Sequence, residues 1–201
     1  MHVHVGIENR DLQIDVMNQM RYFMPHILCL STSSPFWLGE ETGFKSYRSI
    51  IFEDLPRTGI PEHFDSYKNY ESYVKTLIDS QTISEPSKIW WDMRPHHTFP
   101  TLEFRICDCV TKADEAIAIA ALIQALVAKM IMLKSNNQTW REYRGSLINE
   151  NKWRAMKSGV ESSLIDFGKQ IEIPFKDLFN EMMEFIDDVV DSLGSRKQID
   201  Y

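Results

Sequence analysis

Residues 2–7, His-Val-His-Val-Gly-Ile, alternate strictly between polar and apolar. That is the period of a strand with one face against a core. The rhythm then lengthens. Between Asp11 and Met24 the apolar positions Leu12, Val16, Met20 and Phe23 recur at helical spacing, and Ile27–Leu30 continues that helix or begins the next element. A second helix is predicted over Tyr67–Ser80, with Tyr70, Val74, Leu77 and Ile78 on one side. Period two returns in Lys88–Met93 and in Thr101–Cys109, where Leu102, Phe104 and Ile106 alternate with Glu103, Arg105 and Cys107. The prolines of Arg94-Pro-His-His-Thr-Phe-Pro100 predict a turn between these two strands. Ser31–Tyr47 reads as a structured loop and Pro56–Pro61 as a turn. A long apolar helix over Ala116–Leu133 follows, then a polar stretch, Lys134–Asn151. Two further helices are predicted, Trp153–Phe167 and Pro174–Leu193, the last striped by Phe175, Leu178, Phe179, Met182 and Phe185. No repeat or linker interrupts the pattern. The prediction is one α+β domain over residues 1–201, an antiparallel sheet packed with several helices.

Composition narrows the classes. The chain has 201 residues, 43% apolar and 25% charged, enough for one substantial core and unlike a disordered chain. A formal charge of -7 argues against a nucleic-acid partner, which would favour a basic face. The apolar helix is interrupted by Gln124 and Lys129, preceded by Asp114 and Glu115 and closed by Lys134. Those charges complement a helix dipole, so a core helix is expected rather than a membrane span. Three cysteines, Cys29, Cys107 and Cys109, make no disulfide framework, and Cys107 and Cys109 read as a packed, reduced pair. No basic, apolar leader opens the chain, so a cytoplasmic protein is expected.

Candidate chemistry falls in three places. His2 and His4 on one strand share a face about 7 Å apart. They can bind a divalent metal or phosphate oxygens, or simply face solvent. Glu103 and Arg105 share a face in the same way. A carboxylate beside a guanidinium suits a metal next to a phosphoryl group, and equally suits a surface ion pair. Arg94, on the adjoining turn, reaches the same face or stands in water. The third place is Ser31-Thr-Ser-Ser-Pro-Phe-Trp37 with Gly39, Thr42-Gly43 and Arg48, small and hydroxylated enough to wrap an anionic ligand. The phosphate-loop, dinucleotide and hydrolase-elbow signatures are all missing.

Six stretches in order resemble one family over nearly the whole chain. They are His2–Ile7, Leu30–Trp37, Thr42-Gly-Phe44 with Tyr47-Arg48, Trp91-Asp-Met-Arg-Pro-His96, Thr101-Leu-Glu-Phe-Arg-Ile-Cys-Asp108 and Glu150-Asn-Lys-Trp-Arg154. The family is the type 2 glutamate–cysteine ligases, or carboxylate–amine ligases, of the glutamine synthetase-like group. The resemblance implies an antiparallel sheet over ATP and magnesium. It implies His2 and Glu103 as metal ligands, and His4, Arg94 and Arg105 on the phosphates and the phosphoryl group in flight. Arg48 would hold the acidic substrate. Glutamate and cysteine, or another amine, would be the small-molecule substrates, joined through an acyl phosphate, with no nucleophilic role for the cysteines.

The chain departs from the family in three ways. Relatives carry a long segment before H-x-H and a stretch past the position of Tyr201, and Pro100 stands where glycine is expected. The expectation is therefore an incomplete catalytic domain, with self-association or a complementary segment as partner. The alternative is an inactive or regulatory remnant.

Overall fold

A computed structural model describes residues 1–201. The alternating segments at 2–7 and 101–106 meet in a three-stranded antiparallel sheet. Strand β1 (Val3–Gly6) pairs with β7 (Thr101–Phe104), and β7 with β6 (Met93–Pro95), so the latest strand is central. Register aligns His4 with Glu103 and Glu103 with Arg94. Cross-strand neighbours of this kind hold their Cβ atoms about 5 Å apart, so the three side chains form one row across the sheet. Residues one step along point the other way: Met93, Leu102 and Phe104 are buried in the core.

That apolar face packs on α1 (Arg10–Met20) and α5 (Ala113–Ser135). Asn9 caps α1 by accepting the Leu12 amide at 2.9 Å, and Ser66 caps α4 (Tyr67–Asp79) at the Asn69 amide. α5 is the one helix long and apolar enough to cross a membrane by length and composition. It lies against α1, α2 (Met24–Ser31), α7 (Phe175–Val190), α8 (Arg196–Ile199) and β1, with half of its most apolar window buried. α7 buries Phe175, Leu178, Met182, Ile186 and Val189 at helical spacing, whereas Phe179 and Phe185 of the expected stripe pack only partly.

Several expectations are corrected. The helix expected over Trp153–Phe167 starts earlier and ends earlier, so only Trp153–Ser158 of that range is α-helical. α6 runs Gly145–Ser158, its first half lying in the stretch read as polar, and a hairpin of β8 (Ser163–Asp166) and β9 (Ile171–Pro174) follows it. α6 is polar yet buries Asn151 and Lys152, because each finds a partner far along the chain. Asn151 exchanges two hydrogen bonds with Ile165, and Lys152 pairs with Asp92. The loop Ser31–Tyr47 contains a small hairpin, β2 (Phe36–Trp37) and β3 (Glu40–Glu41), and delivers Arg48 to the start of α3 (Tyr47–Glu53). Pro56–Pro61 includes β4 (Thr58–Gly59), parallel to β5 (Trp90–Trp91). Arg94 lies in β6, not in the turn, and is buried. Cys107 is buried while Cys109 is exposed, so the two do not pack as a pair; the strand ends at Phe104 and the alternation is lost there.

Candidate functional site

The in-register row builds the site from the centre outward. Glu103 sits mid-sheet with its side chain 4% exposed, and both of its oxygens are held. Arg94 Nε donates to Oε2 at 2.8 Å and Arg105 Nη1 donates to Oε1 at 2.8 Å. His2 Nδ1 lies 3.2 Å and His4 Nε2 3.9 Å from that same Oε1. His4 is steadied through Nδ1 by Thr101 Oγ1 at 3.0 Å. The structure thus gathers His2, His4, Arg94, Glu103 and Arg105 on one sheet face.

Electrostatics follow from that crowding. Burial pushes the Glu103 carboxyl up, but the hydrogen bonds and charges of Arg94 and Arg105 more than offset it and hold the group down at about 2. Glu103 is therefore ionised at any physiological pH. For His2, burial and then the Arg105 charge lower the imidazole to about 4, against a smaller upward pull from Glu103. It is neutral at pH 7. Two guanidiniums and one carboxylate leave the face net positive, the sign an anionic ligand needs.

Arg94 and Arg48 are committed to the protein. Arg94 Nη1 donates to the Ser87 carbonyl at 2.8 Å and to that of Ile89. Its contribution reaches the face through Glu103. Arg48 lies off the sheet, its fork donating to the Arg105 carbonyl at 3.0 Å and the Ile106 carbonyl at 3.3 Å, over the Phe52 ring. Asp108, fully buried, gathers Ser34 Oγ at 2.7 Å, Ser46 Oγ at 2.9 Å and the Ser33 amide at 3.0 Å beside Arg48. The serine-rich loop expected to wrap a ligand wraps this carboxylate instead. Arg105 differs from both. Its buried Nε has no hydrogen-bond partner.

Magnesium prefers near-octahedral oxygen and keeps several waters. This face offers one carboxylate, already bonded through both oxygens to guanidiniums, and two imidazoles. No cluster of three or more His, Cys, Asp or Glu is spaced for a metal. By themselves these residues do not fit magnesium. They fit an anion.

A sequence profile described as glutamate-cysteine ligase family 2 matches residues 1–192. The chain belongs to this family. Among curated members, the protein named "putative glutamate–cysteine ligase 2" of Herpetosiphon aurantiacus is 55% identical over all 201 residues, which cover 52% of its length. The protein of the same name from Roseiflexus castenholzii is also 55% identical, with 53% of its length covered. The chain thus spans about half the length of these relatives. A solved glutamate–cysteine ligase from Francisella tularensis in complex with AMP superposes with a TM-score of 0.58 at 16% identity, over 95% of this chain and 52% of that one. At that identity the match speaks for the fold. The α+β class and the ligase-family resemblance are borne out.

The sequence reading missed His96, whose ring centroid lies 5.3 Å from that of His4. The signal was available, because His96 closes the Trp91–His96 stretch that carries the family resemblance.

Proposed function

We propose that this chain supplies the nucleotide-facing wall of an ATP-dependent ligase joining the γ-carboxylate of glutamate to an amine such as that of cysteine. The observation that carries this reading is the His4–Glu103–Arg94 row with Arg105 and His2 beside it. It is a positive, rigidly hydrogen-bonded face in a chain of the glutamate–cysteine ligase family. Carboxylates are poor electrophiles in water, so amide formation needs activation. A glutamate oxygen attacks the γ-phosphorus of ATP, the bond to ADP breaks, and an acyl phosphate forms. The amine then attacks the acyl carbon, phosphate leaves, and the amine loses its proton.

The protein's part in such a transfer is to position groups and neutralise charge. Arg105, whose Nη2 makes no hydrogen bond within the protein, is the group assigned to the phosphoryl oxygens, and His4 is assigned beside it on the phosphate chain. Arg94 positions Glu103. Arg48 positions the chain leaving β7, a role that replaces the one expected for it on substrate. Burial pushes the Cys29 thiol up to about 12 and that of Cys107 to about 11, so neither of these two is poised as a nucleophile.

A second reading has its own support. The chain spans half the length of its relatives, and the β1 edge away from β7 has no strand on it. On this reading the 201 residues bind nucleotide but do not turn over. Calorimetric titration with ATP, alongside an ADP-release assay with glutamate and cysteine, tests both. Saturable ATP binding without ADP release is expected. Failure to bind ATP would overturn the first reading, and full ligase turnover would overturn the second.

A further inference from the structure

His96 sits at the end of β6, where its amide donates to the Thr101 carbonyl at 2.9 Å and extends the ladder to β7. Its ring is fixed from several sides. Nδ1 accepts the amides of Thr98 at 3.2 Å and Phe99 at 3.0 Å. One stacking partner is His97, with centroids 4.6 Å apart and planes 28° apart, and another is Phe99, at 5.0 Å and 23°. The turn itself is stapled by Arg10, whose Nη1 donates to the carbonyls of His96 at 3.2 Å and Phe99 at 3.4 Å. Pro100 suits this turn, because its carbonyl accepts the Ile7 amide and no N–H is called for at that position.

An imidazole nitrogen that accepts two amides carries no proton, so the neutral ring holds its hydrogen on Nε2. That tautomer is assigned from the hydrogen-bond pattern. Nε2 makes no hydrogen bond within the protein. The ring edge meets His4 at an interplanar angle of 60°, and His4 is in register with Glu103. The result is a half-buried N–H donor, fixed in direction and tautomer, at the edge of the positive face.

We propose that His96 is a further ligand-contacting residue of this site, donating Nε2–H to an anionic phosphoryl oxygen of the bound nucleotide. A donor fixed before the ligand arrives costs little to reorganise, and it adds a hydrogen bond without adding charge to a face that is already positive. The inference rests on the nucleotide reading above.

The test uses the full 201-residue chain and the β,γ-imido analogue of ATP. Long-range proton–nitrogen correlation spectra of histidine-labelled protein are expected to show His96 as the Nε2–H tautomer, with that nitrogen shifting as the analogue is added. In calorimetry His96→Phe, which keeps the stacking but loses the donor and also the Nδ1 acceptor of the Thr98 and Phe99 amides, should bind about tenfold more weakly. His96→Gln, whose amide reaches the same place, should stay within about threefold of wild type. If His96→Phe fails to fold, the tautomer spectrum and the Gln variant carry the test. An Nδ1–H tautomer, or wild-type affinity in His96→Phe, would overturn the inference and leave the nucleotide reading standing. No binding by wild type would overturn both.

Discussion

Glu103 on β7 lies between two guanidiniums, and Lys152 on α6 lies between two carboxylates. The clusters mirror each other in charge, and each fixes one buried ion with two partners. Lys152, 3% exposed, meets Asp92 Oδ2 at 2.6 Å and Glu53 Oε1 at 3.1 Å. Burial would lower its ammonium, but the two carboxylates more than offset that and hold it above the usual lysine range. The difference lies in what is left over. Around Glu103, Arg105 Nη2 makes no hydrogen bond within the protein, and His2 and His4 keep side chains 42% and 37% exposed. Around Lys152 the partners belong to the protein alone. A closed cluster locks structure, and an open one has capacity for a ligand. The closed one also serves the open one, because the Asp92 carbonyl accepts the Arg105 amide at 2.7 Å and the Asp92 amide donates to Gly59.

The comparison breaks most visibly at its closed end. Lys152→Met strands the Asp92 carboxylate, 14% exposed, beside Glu53, which water already screens. The expected loss is about 2–4 kcal/mol in urea denaturation. A loss under about 0.5 kcal/mol would mean that the cluster locks nothing. Glu103→Gln keeps a hydrogen-bonding side chain but removes the charge that Arg94 and Arg105 share. About 1–3 kcal/mol of stability should go with it. Arg105→Lys, which keeps a cation beside Glu103 but loses the planar fork, should separate ligand from fold, weakening ATP binding about tenfold while changing stability by less than about 1 kcal/mol. Equal effects on both would make the open cluster structural after all.

The smallest effect is in pH. His2, and His26 deep in the core, are both depressed to about 4, chiefly by burial, so the unfolded chain takes up protons first as pH falls below 6.5. Glu103, depressed to about 2, follows the same sign between 4.5 and 2. Stability should be full above pH 6.5 and decline below it. In Glu103→Gln the decline below pH 4.5 should be shallower, as denaturation midpoints across pH would show.

How much of this was legible in the sequence depends on where each residue's partner lies. Val3, Leu102 and Phe104 declare their strands because the partner is a core, and any core reads as alternation. The His2/His4 and Glu103/Arg105 faces were legible for the same reason. Arg94 was not, because its burial comes from Glu103 across the ladder and from the Ser87 and Ile89 carbonyls, none of which periodicity reveals. The first half of α6 was hidden because Asn151 and Lys152 are buried polar residues, each matched by a partner at least 14 positions away. The β8–β9 hairpin was hidden too. Leu164 and Ile173 are its only buried apolar residues, too few to show a period of two. Arg48 carries the motif of a ligand residue, but its fork is spent on backbone carbonyls.

The central claim is that the Glu103 face is where the phosphates lie. A crystal structure of the 201-residue chain with the β,γ-imido analogue of ATP tests it directly. The account predicts phosphate oxygens within hydrogen-bonding distance of Arg105 and His4. It would be contradicted by a nucleotide bound instead in the acidic cavity of about 630 Å³ lined by Asp11, Asp15, His63, Asp65 and Glu142.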